Sequence, residues 1–196
     1  IGTLLIEPEQ QRYLSSDAFF WNVTFHEVAH GLGVKETVNG LGSVDAALGN
    51  ESSVWEEAKA DILGLYMVCN LIDKGEIPLI SKEAAITTYI ASLVRSVRFG
   101  AAGAHGRANM MCYNFLKDNG AFERNKDGLY HINYDKVPEV VAAWAELIIT
   151  TQATGNYMFA KEYDTNHAVV PEALSADIAN VNRGGVPVDI RFEFVW

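Results

Sequence analysis

The sequence predicts a mainly α fold with a small β component, and three observations carry that prediction. Capping residues stand ahead of apolar stretches of helical length, at Ser15–Asp17, Ser53 and Ser81. Gly or Pro closes most of those stretches. Period-two alternation, the mark of a strand, is confined to the end of the chain, with one hairpin signal before it. With 196 residues, 49% of them hydrophobic and only 20% charged, the chain can build a real core, so disorder is excluded.

The chain opens on a short apolar run, Leu4-Leu5-Ile6, and then turns polar. Ser15, Ser16 and Asp17 offer N-caps to a helix through Phe19, Phe20, Val23, His26, Glu27 and His30, which stops at Gly31-Leu32-Gly33. Residues 34–51, rich in Gly, Asn and Ser, read as loop with a helical turn at Asp45–Leu48. A second helix is expected from Ser53, with Glu56 completing a capping box, to Lys74 and Gly75. Past Asp61 it is apolar on nearly every face, which predicts burial.

Pro78 breaks the chain, Ser81 caps a third helix to about Arg98, and residues 105–117 read as a fourth. Phe122–Tyr134 reads as a hairpin around Asn125-Lys126-Asp127-Gly128. A fifth helix is expected from Asp135 to Thr151 with Pro138 in its first turn, and shorter ones at 157–166 and 171–182. Val186, Val188, Ile190, Phe192 and Phe194 then alternate with Pro187, Asp189, Arg191 and Glu193. A strand so apolar on one face needs a sheet, and within the chain only Gly2–Ile6 and the hairpin can offer edges. The expected organisation is a helical lobe over 1–185 and a C-terminal strand, 186–196, in a sheet shared with a region upstream. The chain starts at Ile1 instead of Met, which fits an N-terminal lobe belonging to a longer protein.

Net charge is -10 and no Lys/Arg-rich run occurs, so neither nucleic acid nor an anionic membrane is an expected partner. No apolar run reaches the roughly 18 residues of a membrane span, and cytoplasmic placement is expected. Cys69 and Cys112 sit in apolar helical stretches and read as two buried free thiols.

The chemistry concentrates at His26-Glu27-Val28-Ala29-His30, an HExxH motif. On a helix the two histidines lie about 40° apart around the axis, so both imidazoles face one ion. Glu27, beside that face, reaches a water there as general base. Alone, the motif is also what two histidines on a partly polar helix face would give. The second helix supplies what it lacks. Glu57 and Asp61 are again four apart, which provides a third ligand and a carboxylate to accept the outer N–H of a ligating histidine. Glu56 reads as an ordinary acidic residue at a helix start. Two imidazoles and a carboxylate select Zn²⁺, one per chain, ahead of Ca²⁺ or Mg²⁺. A donor for a developing oxyanion is sought in the stretch Phe99–Arg107, where His105 and Arg107 are the candidates, Arg107 as a substrate contact. His131 in the hairpin and His167 in a loop read as structural.

His26–Gly33, Glu56–Leu65 and the later Arg98-Phe99-Gly100 with Ala104-His105-Gly106 resemble, in order and spacing, the dipeptidyl peptidase III family of zinc exopeptidases. The resemblance covers roughly residues 17–120. The best-known members carry HExxGH, and the five-residue HExxH resembles a divergent branch in which this region can follow a Nudix domain. It implies a gluzincin-type peptidase acting near the N-terminus of short peptides, with two lobes around a wide cleft. The mostly helical lobe would hold zinc and correspond to this chain; the other would contain a β-barrel and most of the residues that hold the substrate's amino terminus. Alternatives are a zinc-binding regulatory module without turnover and a generic gluzincin endopeptidase.

Overall fold

In the computed structural model, which describes residues 1–187, helices form where caps and periodicity place them. In chain order they are α1 (Gly2–Leu5), α2 (Ser16–His30), α3 (Val44–Leu48), α4 (Ser52–Asp73), α5 (Lys82–Val97) and α6 (Ala104–Asp118). Strands β1 (Phe122–Arg124) and β2 (Tyr130–Ile132) follow, then α7 (Val137–Thr154), α8 (Tyr157–His167) and α9 (Glu172–Arg183). Ser15, Ser43 and Ser81 cap α2, α3 and α5 by accepting from the amides of Ala18, Ala46 and Ala84. The expected C-terminal strand at 186–196 lies, from residue 188 onward, outside the described residues.

Helix α4 is the axis of the fold and packs against α2, α5, α6 and α7. Its Trp55 meets Trp144 of α7, and Tyr163 of α8 closes on both rings. Both tryptophans are fully buried. Each removes about 150–250 Å² from water, which at about 25 cal/mol per Å² contributes on the order of 4–6 kcal/mol before entropy is charged. The cysteines are free thiols, Cys112 buried and Cys69 partly so.

The hairpin pairs Phe122 with Ile132 and Arg124 with Tyr130, and Gly128 takes the positive φ of 84° in its turn. Four expectations need correction. The N-terminal apolar run is one helical turn with a single parallel bridge from Ile6 to Tyr130, not a strand edge. Leu5 and Ile6 are both buried, which a helical turn and bend permit and a one-faced strand does not. Helix α4 has no capping box, because a 3₁₀ turn at Gly49–Glu51 runs straight into it and Ser53 is already helical. Beyond Asp61, α4 buries one side through Ile62, Leu65 and Val68 but leaves Tyr66 46% exposed. His167 ends α8 and does not lie in a loop.

Gly64 sets the approach of α4 to α2. A Cβ built there would stand 2.9 Å from the His26 amide nitrogen and 3.1 Å from the Phe25 carbonyl carbon, closer than packed atoms come. The two backbones therefore touch at the turn of α2 that begins the HExxH motif.

Candidate metal centre

Four-residue spacing on α2 puts His26, which is buried, and His30, half-buried, on one face. Their Nε2 atoms are 3.2 Å apart. From α4, Glu57 Oε2 lies 3.4 Å from His26 Nε2 and 3.9 Å from His30 Nε2. A triangle with those sides is circumscribed by a circle of about 2.0 Å radius, the length of a zinc–nitrogen bond at about 2.0–2.1 Å. Among the described residues this is the one group of His, Cys, Asp and Glu side chains with ligand spacing. Glu57 Oε2 is buried and makes no hydrogen bond, although imidazole nitrogens of His105, His26 and His30 stand 3.1, 3.4 and 3.9 Å away. Such an orphan costs about 1–3 kcal/mol or more for a charged group, so a cation among these atoms answers a real deficit. The donors fit a divalent ion of zinc's preferences.

The outer nitrogens of both rings are held by carboxylates. His26 Nδ1 donates to Asp61 Oδ1 at 2.7 Å, and the other Asp61 oxygen accepts from Asn109 Nδ2 at 2.7 Å. His30 Nδ1 donates to Glu56 Oε1 at 3.1 Å, which also accepts from the buried Lys59 ammonium at 2.7 Å. Each ring is thereby turned so that Nε2 faces the partner helix. The electrostatics agree. Burial pulls the His26 pKa down, but Asp61 and Glu57 more than offset it and raise it to about 10. Burial pushes the Glu57 carboxyl up, and the imidazoles of His26, His105 and His30 bring it below its ordinary value. Glu56, pushed up by burial, is likewise held low by Lys59 and His30. The centre is built to hold positive charge.

Beside it opens a cleft of about 180 Å³, walled by Phe19, Val23, Glu27, His26, His105 and Asn109 among others. Glu27 is exposed on α2, and its carboxylate makes no hydrogen bond or ion pair among the described residues. His105, in the first turn of α6, stacks on the His26 ring at 5.4 Å and brings Nε2 to 3.1 Å from Glu57 Oε2. Gly106 allows this placement, since a Cβ there would fall 2.4 Å from the Gly100 carbonyl oxygen.

The structure thus brings together six of the seven residues singled out above: His26, Glu27, His30, Glu57, Asp61 and His105. Arg107 is not among them. Its guanidinium donates to Asp164 at 3.0 Å and to Glu51 at 3.2 Å, both buried carboxylates, and so ties α6 to α8 and to the start of α4. His131 pairs with Glu7 at 2.8 Å and His167 stacks on Tyr163 at 4.1 Å, both away from the cluster. Sequence reasoning missed Lys59 and Asn109 and took Glu56 for a helix-start residue. Asn109 carried a signal, since it lies four residues after His105 and hence on the same helical face.

No family model matches the chain. Over 198 aligned residues, 99% of the chain, it is 31% identical to a curated protein of Arabidopsis thaliana named Nudix hydrolase 3, of which it spans 26%. Among solved structures it is similar to DPP III from Caldithrix abyssi, with a TM-score of 0.91 and 32% identity over 96% of this chain and 36% of that one. It is equally similar to dipeptidyl-peptidase III from Corallococcus sp. strain EGB, with a TM-score of 0.91 and 34% identity over 97% of this chain and 35% of that one. The chain therefore has a peptidase-like fold, that of a segment of these enzymes, and spans about a quarter to a third of the length of the proteins it matches.

Proposed function

We propose that the chain is the zinc-holding, C-terminal catalytic lobe of a dipeptidyl-peptidase-III-like metallopeptidase, which hydrolyses peptide bonds near the N-terminus of short peptides. The observation that carries this reading is the convergence of His26, His30 and Glu57 on one point with zinc-bond radius. When bound there, zinc would lower the pKa of a water toward about 7 and polarise a carbonyl.

The remaining steps fall to side chains of this chain. Glu27, unpaired at the cleft wall, accepts the proton of the attacking water and returns it to the leaving amine. Asp61 and Glu56 keep the two imidazoles oriented by accepting from their Nδ1 atoms. His105, exposed at the start of α6, donates to the carbonyl oxygen as charge develops on it. Phe19 and Val23 give the cleft an apolar side for a substrate side chain. The whole enzyme would also need the second lobe to hold the free amino terminus. Positioning of that sort supplies up to about 7–11 kcal/mol of barrier reduction in the best cases.

The test is metal analysis joined to release of naphthylamine from a dipeptidyl-naphthylamide, on this chain and on a longer protein carrying the upstream region. Stoichiometric zinc and faster release by the longer protein are expected. A second reading, a zinc-binding module without turnover, draws on the short span the chain occupies in its relatives. Zinc uptake with no hydrolysis by either protein would favour it. Equal cleavage of blocked and free peptides would point instead to an endopeptidase.

A further inference from the structure

Lys59 is a charged residue that the proposed chemistry leaves without a task, and its side chain is 1% exposed. Lysine is almost never so buried unless paired. Its three donor positions are all used, at 2.8 Å to the Leu32 carbonyl, 2.7 Å to Glu56 Oε1 and 3.4 Å to the His30 carbonyl. Those carbonyls belong to the end of α2, where a helix leaves its last C=O groups without partners and where its dipole favours a cation. Gly33, at a φ of 81°, lets the chain close over the lysine stem, for a Cβ there would stand 3.0 Å from Lys59 Cδ. Gly33, three residues beyond the last residue of α2, and the lysine between Glu57 and Asp61 are thus two sides of one contact.

We propose that Lys59 is a positioning residue for the metal centre: its ammonium clamps the end of α2 onto α4 and holds Glu56 against His30. The inference rests on the reading that His26, His30 and Glu57 hold a divalent ion. Glu56 is one-third exposed and could otherwise turn to water. Lys59 and Leu32 keep it facing His30 Nδ1, which in turn aims His30 Nε2 at Glu57. Lys35 also donates to the His30 carbonyl, at 2.8 Å, so that acceptor keeps a partner without Lys59. What Lys59 alone supplies is the link from the Leu32 carbonyl to Glu56.

The experiment measures zinc affinity by chelator competition, the absorption spectrum of the Co²⁺-loaded protein, and urea unfolding of the metal-free protein. It compares the full chain with Lys59→Met, Lys59→Arg, Glu56→Gln and the Lys59→Met/Glu56→Gln pair. Lys59→Met is expected to weaken zinc about 10–100-fold, the usual cost of losing an outer support, and to alter the Co²⁺ spectrum. Lys59→Arg should recover most of the affinity. In the Glu56→Gln background Lys59→Met should add little, since the lysine acts through Glu56. A Lys59→Met protein with wild-type zinc affinity and spectrum but lower urea resistance would make Lys59 a helix cap and overturn the proposal. Should Lys59→Met fail to fold, Lys59→Gln, which keeps a hydrogen-bonding head, is judged by the same two outcomes. If the unaltered chain takes up no zinc, the metal reading falls and this inference with it. If it takes up zinc and Lys59→Met equals it, only this inference falls.

Discussion

Gly64→Ala tests whether the metal centre depends on how closely two helices approach. The added Cβ would lie 2.9 Å from His26 N, 3.1 Å from His26 Cα and 3.1 Å from Phe25 C, where ordinary contact begins at 3.4 Å. The neighbours are backbone atoms and cannot rotate away, so α4 must withdraw by about 0.3–0.5 Å or tilt. Two terms oppose each other in the metal-free protein. Alanine is favoured over glycine inside a helix by about 0.8–1.0 kcal/mol. Overpacking costs about 1–3 kcal/mol. The net expectation is a loss of about 0–2 kcal/mol, or up to about 8 °C in Tm for a chain of this size. The metal should feel the change more strongly. Glu57 and Asp61 ride on α4 within two turns of Gly64, and the 3.4 Å and 2.7 Å separations to His26 span the same interface. We expect zinc affinity to fall about 10–100-fold, as when a ligand loses its orientation. Chelator competition and urea unfolding separate the two effects. Stability higher by about 1 kcal/mol with unchanged zinc affinity would be the signature of a simple helix glycine, and would refute the argument.

Three other substitutions probe the assigned roles. Glu27→Gln should leave zinc affinity within about twofold and lower kcat/KM of the longer, active protein by about 10²–10⁴, because only the proton acceptor is removed; loss of zinc would mean that base and ligand have been confused. Asp61→Ala should weaken zinc about 10–100-fold and leave Asn109 without its acceptor, as read by chelator competition, and unchanged affinity would return Asp61 to a packing role. Arg107→Met should act on stability and not on substrate binding. It strands the buried carboxylates of Glu51 and Asp164, at about 2–4 kcal/mol by urea unfolding, less than for a wholly buried pair because Arg107 is one-third exposed. A raised KM at unchanged stability would restore it as a substrate contact.

What could be read from the sequence and what could not divide along a physical line. The pairs His26/His30 and Glu57/Asp61 were legible because four-residue spacing fixes a shared face on any helix. The serine caps at 15 and 81 were legible for the same local reason. Features set by contacts between elements were not. Arg107 stands in a Gly-rich stretch that suggests a ligand, yet its partners are Glu51 and Asp164, more than fifty residues away on either side. Lys59 went unnoticed, because nothing local shows that the end of α2 lies over it. Ser53 and Glu56 have the spacing of a capping box, but the 3₁₀ turn before α4 removed the free end that such a box would cap. The fold class was legible because it is a sum of local signals; the N-terminal run went wrong because a short apolar segment does not tell one helical turn from a strand.

The same geometry implies that metal and fold support each other. Without an ion, Glu57 Oε2 is buried and makes no hydrogen bond. That is a cost carried by the folded chain alone, since water satisfies this oxygen in the unfolded chain. The charge on His26, by contrast, is stabilised by Asp61 and Glu57, so below its raised pKa an incoming ion must displace a proton there. An ion bound between α2 and α4 removes the orphan and cross-links the two helices whose backbones meet at Gly64. Because the three ligands converge only when both helices are folded, nearly all the binding free energy favours the native state. Linkage gives the size: zinc at 100 times its Kd should stabilise by about 2.7 kcal/mol, and at 1,000 times by about 4.1 kcal/mol. For a chain of this length that is a rise of roughly 5–16 °C in Tm. Thermal unfolding across a zinc titration, with a chelator-treated reference, reads it directly. The rise should vanish in a His26→Ala/His30→Ala pair and persist in Glu27→Gln, which leaves all three ligands in place. A Tm that rises equally in the histidine pair would locate the zinc elsewhere and remove the basis for the centre.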